Sequence, residues 1–159
     1  MNSRTQTGLA TVEFAIVASL LMMVVFGAIE FGRALFVSNA LAEGTRRGAR
    51  LAAVCPINDP LPAQAAILAA DGSSAIARDL GTDHVLISYL DATGAPVANP
   101  AANFTAIQFV QVRIVNYTQQ LFIPFVPASI SMPSFAATLP IESLGYAPTL
   151  QAFPSCTSW

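Results

Sequence analysis

Side chains able to carry out catalysis or bind a metal are few and scattered in this sequence. Its one histidine, His84, follows Asp83 and precedes Ser88 by four positions. Neighbours in sequence do not define a catalytic geometry, and no known motif surrounds them. An enzyme that uses these three residues, and loses activity in His84→Ala, is kept only as an alternative. Zinc sites need three or four ligands, which one histidine and two distant cysteines do not supply, so we predict no catalytic site, metal or cofactor.

Glu13 is chemically unusual because it interrupts a long apolar segment. Residues 9–29 are apolar or small except for Thr11, Glu13 and Ser19, and Gly8 directly precedes them. A carboxylate at the centre of a membrane helix costs about 2.5 to 3.5 kcal/mol on insertion scales, and less near an interface. Such a residue needs a reason, and the ordinary one is that Glu13 lies one or two turns from the cytoplasmic face and reaches the headgroups.

The composition indicates a chain that is not wholly water-soluble. Of its 159 residues, 54% are apolar and 10% are charged, against averages of about 45 to 50% and about 25%. Seven arginines, no lysine and nine acids give a net charge of -2, whereas nucleic-acid binders usually show a basic face. We expect no nucleic-acid partner, and no motif predicts a small-molecule substrate.

The apolar segment 9–29 is long enough to cross a membrane once. As a helix it would measure about 31 Å, close to the hydrocarbon thickness of about 30 Å. Arg4 before it favours a cytoplasmic N terminus. A cleaved secretory signal, with its site at residues 40–42, is an alternative, but the segment exceeds the usual length of about 7 to 15 residues. A plain, uncut signal anchor is a second alternative.

Beyond the membrane the helical pattern continues to Val54. Residues 34–54 contain no proline, and only Gly44 and Gly48 weaken the helix before Cys55 and Pro56 end it. A helix over 9–54 would be about 69 Å long. Half of it would stand outside the bilayer.

Charges along this outer half support a helix. Glu30 precedes Arg33 by three positions, and Glu43 precedes Arg46 and Arg47 by three and four, which are the spacings of helical ion pairs. The arginines between 46 and 50 are also expected to oppose the negative end of the helix dipole.

Small residues recur every four positions on one face of the outer half. They are Ala40, Gly44, Gly48 and Ala52. Such a stripe lets another backbone approach closely. Its partner is either the protein's own sheet or the helix of a second subunit, and both can pack on different turns.

Three motifs follow one another in the first third of the chain. Gly8-Leu9 followed by Glu13-Phe14 is similar to the prepilin-peptidase site of type IV pilins. An acid-glycine-arginine cluster at 29–33 and an arginine- and alanine-rich stretch at 46–53 come next. In this order the motifs resemble the TadE-like family, pilin-like minor components of the tight adherence (Tad, or Flp) pilus, and residues 136–142 resemble the segment that often closes such domains.

The resemblance implies a minor pilin or pseudopilin without enzymatic activity. A prepilin peptidase would cut between Gly8 and Leu9, and Glu13 would pair with the first amino group of a neighbouring subunit. A charge that is costly alone in lipid becomes tolerable beside an opposite charge. The implied partners are other pilin-like subunits, Tad inner-membrane assembly proteins, the peptidase and membrane lipid. An unprocessed periplasmic component, or an unrelated anchored binding domain, is the alternative.

The two cysteines, Cys55 and Cys156, are expected to form a disulfide. A domain outside the inner membrane lies in an oxidising compartment. Closing a loop of about 100 residues would contribute near 4.7 kcal/mol on the chain-entropy estimate. Two free buried thiols are the alternative.

We therefore expect an α+β fold: a leader at 1–8, a long helix at 9–54 with its span at 9–29, and an extracytoplasmic domain at 55–159 with a small antiparallel sheet and short helices. Prolines at 60 and 62 indicate a linker, and 63–80 predicts helical pieces broken at 71–73. Strands are predicted at 84–90, 104–117 and 134–143, with a turn at 91–94. Residues 121–133 predict a loop that is either a partner surface or buried against the sheet.

Overall fold

The protein is a long helix whose outer half carries a small α+β domain. The computed structural model describes residues 4–69, 73–122, 128–146 and 155–156, with side chains from residue 8 onward. The elements are α1 (Arg4–Val54), α2 (Leu61–Ala66), β1 (Val85–Leu90), β2 (Phe109–Ile114), β3 (Thr118–Gln120), β4 (Ser129–Ser131) and β5 (Phe135–Pro140), with 3-10 turns at Thr82–His84 and Phe104–Ala106. The predicted α+β class is confirmed.

Helix α1 is continuous over 51 residues, which corresponds to about 76 Å. It ends at Val54, as predicted, but the arginines between 46 and 50 do not cap it, because the last turn contains no basic residue. Backbone groups from the far end of the domain do so instead. The amides of Glu142 and Leu144 both donate to the carbonyl of Ala53, at 3.1 and 3.3 Å.

The main sheet has the strand order β1-β2-β5, and both pairings are antiparallel. On β2 the predicted alternation is confirmed, since Val110, Val112 and Ile114 are all buried. On the opposite face Gln111 donates a hydrogen bond to Thr138 of β5 at 2.9 Å. The strand is shorter than predicted, because residues 104–106 form a 3-10 turn.

The structure places a second, two-stranded sheet where the sequence predicted a loop. Strand β4 lies within 121–133 and pairs with β3 in antiparallel register, Gln119 opposite Ile130. Residues 123–127 lie outside the described part of the chain. The prolines that indicated a loop flank the three residues of β4 and do not interrupt them.

The region before the sheet contains less helix than predicted. Prolines 60 and 62 do not mark a linker but begin α2, where a proline at the first positions is favoured. The predicted break at 71–73 falls mostly outside the described residues. Beyond it, the hydroxyl of Ser74 accepts hydrogen bonds from the amides of Ile76 and Ala77. Such local bonds compete with helix formation, and residues 73–81 form no helix.

The core lies between the outer half of α1 and the elements wrapped around it. One cluster joins the last turns of α1 to the main sheet, including Ala52, Tyr89 and Val112. A second joins Val37 and Leu41 of α1 to Ile67, to Ala77 and Leu80, and to the end of β2. Burial raises the pKa values of Tyr89 and Tyr117 above the ordinary tyrosine value. The domain is thus built on α1, which forms one wall of both clusters.

Candidate functional site

The N-terminal half of α1 is apolar on every side and uncovered by the rest of the protein. It is the one helix among the described residues that is long and apolar enough to cross a membrane, and none of its most apolar window is buried. Leu9 and Phe14 are each 74% exposed, and Val24 is 69% exposed. A helix that is apolar all round is normally enclosed by protein or lipid. This half of α1 therefore needs a partner outside the chain, and it suggests a single-pass membrane anchor.

The residues of the predicted processing and pairing site lie together at the start of this uncovered half. Gly8, Leu9, Glu13 and Phe14 all belong to α1 and are all exposed. A Cβ added at Gly8 would meet nothing within 4 Å, so nothing in the subunit's own packing requires a glycine there. Leu9 and Glu13 are four residues apart and share a helix face.

The small-residue stripe packs within the subunit, and α2 as well as the predicted sheet lies against it. A Cβ at Gly44 would lie 2.3 Å from the carbonyl oxygen of Ala66, and one at Gly48 would lie 2.7 Å from the Cβ of Ala66. The backbone of α2 therefore fills these two positions. Ala52 does pack in the cluster with the sheet, whereas Ala40 is only half-buried.

Just beyond the apolar segment, α1 holds the end of the β3–β4 pair through a set of contacts that we call the clasp, formed by Glu30, Arg33, Gln120 and Phe122. The amide of Phe122 donates to Glu30 Oε1 at 3.1 Å, and Arg33 Nη2 donates to Glu30 Oε2 at 2.9 Å. The same guanidinium donates to the carbonyl of Gln120 and lies 4.4 Å from the centre of the Phe122 ring. The clasp joins residues 87 and 92 positions apart in sequence.

The clasp buries the carboxylate of Glu30 and pairs it with hydrogen-bond donors. Glu30 is only 8% exposed. The hydrogen bond from Arg33 lowers the pKa of Glu30, and the amide of Phe122 acts in the same direction, while burial opposes both. The carboxylate therefore stays ionised, since a buried charge is tolerable when it is paired and hydrogen-bonded.

Sequence reasoning recovered only part of this site. The predicted ion pairs are present: Glu30 with Arg33 at 2.9 Å, and Glu43 with Arg46 and Arg47 at 3.8 and 3.3 Å. The attachment of Glu30 and Arg33 to the β3–β4 pair was missed. Residues 120–122 have no motif that marks them as partners of a helix, so no sequence signal identified the contact.

At the opposite end of the domain a disulfide fastens the C-terminal segment to the end of α1. Cys55 and Cys156 are bonded, with their Cα atoms 5.6 Å apart. The carboxylate of Asp59 lies beside them, accepting hydrogen bonds from the amide of Cys156 and from that of Leu61 in the first turn of α2, both at 2.9 Å. The predicted pairing is thus present, and Asp59 ties it to α2.

The alternative catalytic group does not assemble. His84 Nδ1 lies 3.3 Å from a carboxylate oxygen of Asp83, but it makes no hydrogen bond. Ser88 lies within β1, three residues beyond its first residue, whereas His84 lies in the 3-10 turn before the strand, so about 10 Å of strand separates them. Within the described ranges, no three histidine, cysteine or acidic residues are grouped so as to hold a metal ion.

Comparison with known proteins gives one match, and it falls on α1. Residues 8–50 match the family model described as TadE-like protein. No characterised protein and no solved structure matches the chain significantly. The matched residues contain the uncovered apolar half of the helix, the helix residues of the clasp, and most of the small-residue stripe. The resemblance is thereby confirmed, and the helix from Gly8 to Arg50 is TadE-like, which implies a pilin-like component associated with a Tad pilus.

Proposed function

We propose that the chain is a minor pilin or pseudopilin of a Tad-type pilus system, which acts through helix packing and surface contacts and not as an enzyme. One observation carries the proposal: the TadE-like residues include the whole half of α1 that the protein leaves uncovered. Apolar exposure on this scale exceeds what monomeric soluble proteins tolerate. Lipid covers it before assembly, and the helices of other pilin-like subunits cover it afterwards.

The proposed topology is a single pass through the bacterial inner membrane. Residues 9–29 span the bilayer, the leader at 1–8 is cytoplasmic, and the domain at 55–159 is periplasmic or part of an extracellular pilus. The disulfide supports this side of the membrane, because such bonds form and persist in the periplasm and are rare in the cytosol. Tad inner-membrane assembly proteins would receive the subunit there.

Processing by a prepilin peptidase would hydrolyse the bond between Gly8 and Leu9, leaving Leu9 with a free amino group. The bond lies four residues from the start of α1, where helix ends fray. Glycine further weakens the helix by about 1 kcal/mol relative to alanine. We expect Gly8→Ala to abolish processing without disturbing the fold, because the new methyl group meets no other atom.

The test is the intact mass and N-terminal sequence of the membrane-extracted protein, expressed with and without the peptidase. The wild type should begin at Leu9 only when the peptidase is present. Gly27→Ala is the matched control, since a Cβ there also meets nothing within 4 Å, and it should be processed normally. A Gly8→Ala chain that still loses its first eight residues would refute the assigned site. Retention of residues 1–8 in the wild type would favour an unprocessed anchored component.

Glu13 is proposed to pair with the amino group of Leu9 on a neighbouring subunit. Its exposed position on α1 leaves the carboxylate available to a second chain. We expect Glu13→Ala to be processed but to lose co-isolation with other Tad subunits. Ser19→Ala is the control, because the Ser19 hydroxyl only donates to the carbonyl of Ile16 on the same helix. Normal assembly of Glu13→Ala would contradict the pairing.

A further inference from the structure

The clasp fixes the end of the β3–β4 pair at a defined height along α1. Glu30 and Arg33 follow the apolar segment by one and four residues, so they lie about 1.5 to 6 Å beyond its end. Helical side chains also tilt toward the N terminus of the helix, which here is the membrane side. The headgroup layer is about 5 to 7 Å thick on each side of the hydrocarbon. Residues 120–122 therefore lie within that layer when residues 9–29 span the bilayer.

The groups held at this height suit a lipid headgroup layer. Phe122 is 54% exposed although its ring is flanked by two guanidinium groups, with Arg33 at 4.4 Å and Arg78 at 5.1 Å. Phe31, on α1 at the same height, is 67% exposed. Surfaces that lie in the membrane interface combine Phe, Trp or Leu, which enter the acyl boundary, with Arg or Lys, whose charges stay among the phosphates.

Of the two arginines beside Phe122, Arg78 is the one available to bind an anion. Arg33 is already paired with Glu30, whereas Arg78 is exposed and forms no ion pair among the described residues. Its backbone is held in place, because the hydroxyl of Tyr117 donates to the Arg78 carbonyl at 3.2 Å. This position gives an anionic phospholipid a guanidinium partner beside an apolar ring.

We propose that the end of the β3–β4 pair is a second membrane contact: Phe122 enters the interface of the bilayer that α1 crosses, and Arg78 binds a lipid phosphate. The inference rests on the membrane span of the proposed function. It adds that the outer domain lies on the membrane and does not stand free of it on the helix.

The experiment places a single tryptophan in the full chain and measures its depth in vesicles. The natural Trp159 is replaced by phenylalanine, and Phe122→Trp, Val24→Trp or Leu86→Trp is added. Trp at 122 preserves stacking with the arginines. Leu86 is exposed on β1 and makes no part of the clasp, and Val24 is exposed within the apolar segment. Tryptophan fluorescence is quenched by bromine on the acyl chains of vesicles of phosphatidylcholine and phosphatidylglycerol. The bromine is placed either near the headgroup (shallow) or near the chain end (deep). Acrylamide in the water separately quenches any tryptophan that is exposed to water.

We expect the shallow bromine to quench Trp at 122 strongly, the deep bromine to quench Trp at 24, and only acrylamide to quench Trp at 86. If Trp at 122 behaves like Trp at 86 while Trp at 24 is quenched, the proposal fails and the span stands. Protection of Trp at 122 from both bromine and acrylamide would indicate a protein contact and would also overturn it. If Trp at 24 is not quenched, the span itself is wrong and the inference falls with it.

A second arm tests the phosphate contact. Raising the share of phosphatidylglycerol should increase shallow quenching of Trp at 122, and Arg78→Gln should remove this dependence. Arg46→Gln is the control, since that side chain is also exposed but lies on α1 well beyond the clasp. An unchanged lipid dependence in Arg78→Gln would refute the role of Arg78.

Discussion

Replacing Gly44 with alanine should destabilise the outer domain, because the backbone of α2 occupies the space that the new methyl group needs. That methyl group would lie 2.3 Å from the carbonyl oxygen of Ala66 and 3.3 Å from Leu68 Cγ, where ordinary contact begins at 3.4 Å. Helix α2 must therefore move by about 1 Å. Overpacking lowers the free energy of unfolding by up to about 3 kcal/mol, whereas the higher helix propensity of alanine raises it by about 1 kcal/mol. We expect a net loss of about 2 kcal/mol.

The assay is thermal unfolding of the full chain in detergent micelles, followed by near-ultraviolet circular dichroism of the buried Tyr89 and Tyr117. A loss of this size should lower the melting temperature by about 8 °C or more in a domain of about 100 residues. Gly32→Ala is the matched control on the same helix, since a Cβ there meets nothing within 4 Å, and it should melt no lower than the wild type. Equal melting of Gly44→Ala and Gly32→Ala would refute the packing argument.

Two further predictions concern the disulfide and the clasp, which lie at opposite ends of the outer half of α1. Reducing the disulfide, which closes a sequence separation of 101 residues, should lower the free energy of unfolding by about 4 to 5 kcal/mol; Cys55→Ser should show the same loss in denaturant titrations and no further response to reductant. At the clasp, Arg33 lowers the pKa of Glu30. The ionised Glu30 therefore stabilises the folded domain fully above the ordinary glutamate pKa, and this contribution disappears as the pH falls through the lowered pKa. Unfolding profiles of the wild type and Glu30→Gln should therefore converge in acid, and a constant difference would contradict this.

The sequence predicted elements whose cause is local. Helix α1 follows from an uninterrupted apolar segment and a proline-free continuation, and its end follows from Pro56. Strand β2 follows from the alternation of Val110 and Val112 with polar residues, which places one face in the core. In each case the pattern that forms the element lies within the element itself.

What the sequence did not predict depends on contacts between distant residues. The clasp requires Phe122 to meet Glu30, and neither residue carries a pattern that indicates the other. The stripe at Gly44 and Gly48 correctly indicated a close approach, but the approaching segment, α2, is too short and proline-rich to be identified as a helix partner. Strand β4 is three residues long, below the length at which alternation can be read. Each of these features depends on a partner that comes close only when the domain folds, so no local pattern predicts it.

The disulfide also determines how the molecule carries mechanical load. Cys156 is joined to Cys55, one residue after α1 ends and about 37 Å along the helix from the end of the apolar segment. A pull on the chain beyond Cys156 passes through this bond directly into α1. Residues 56–155, which include all five strands among the described residues, lie inside the closed loop, and the bond carries that tension past them. The sheet is thus shielded from forces that would otherwise unzip it, strand by strand.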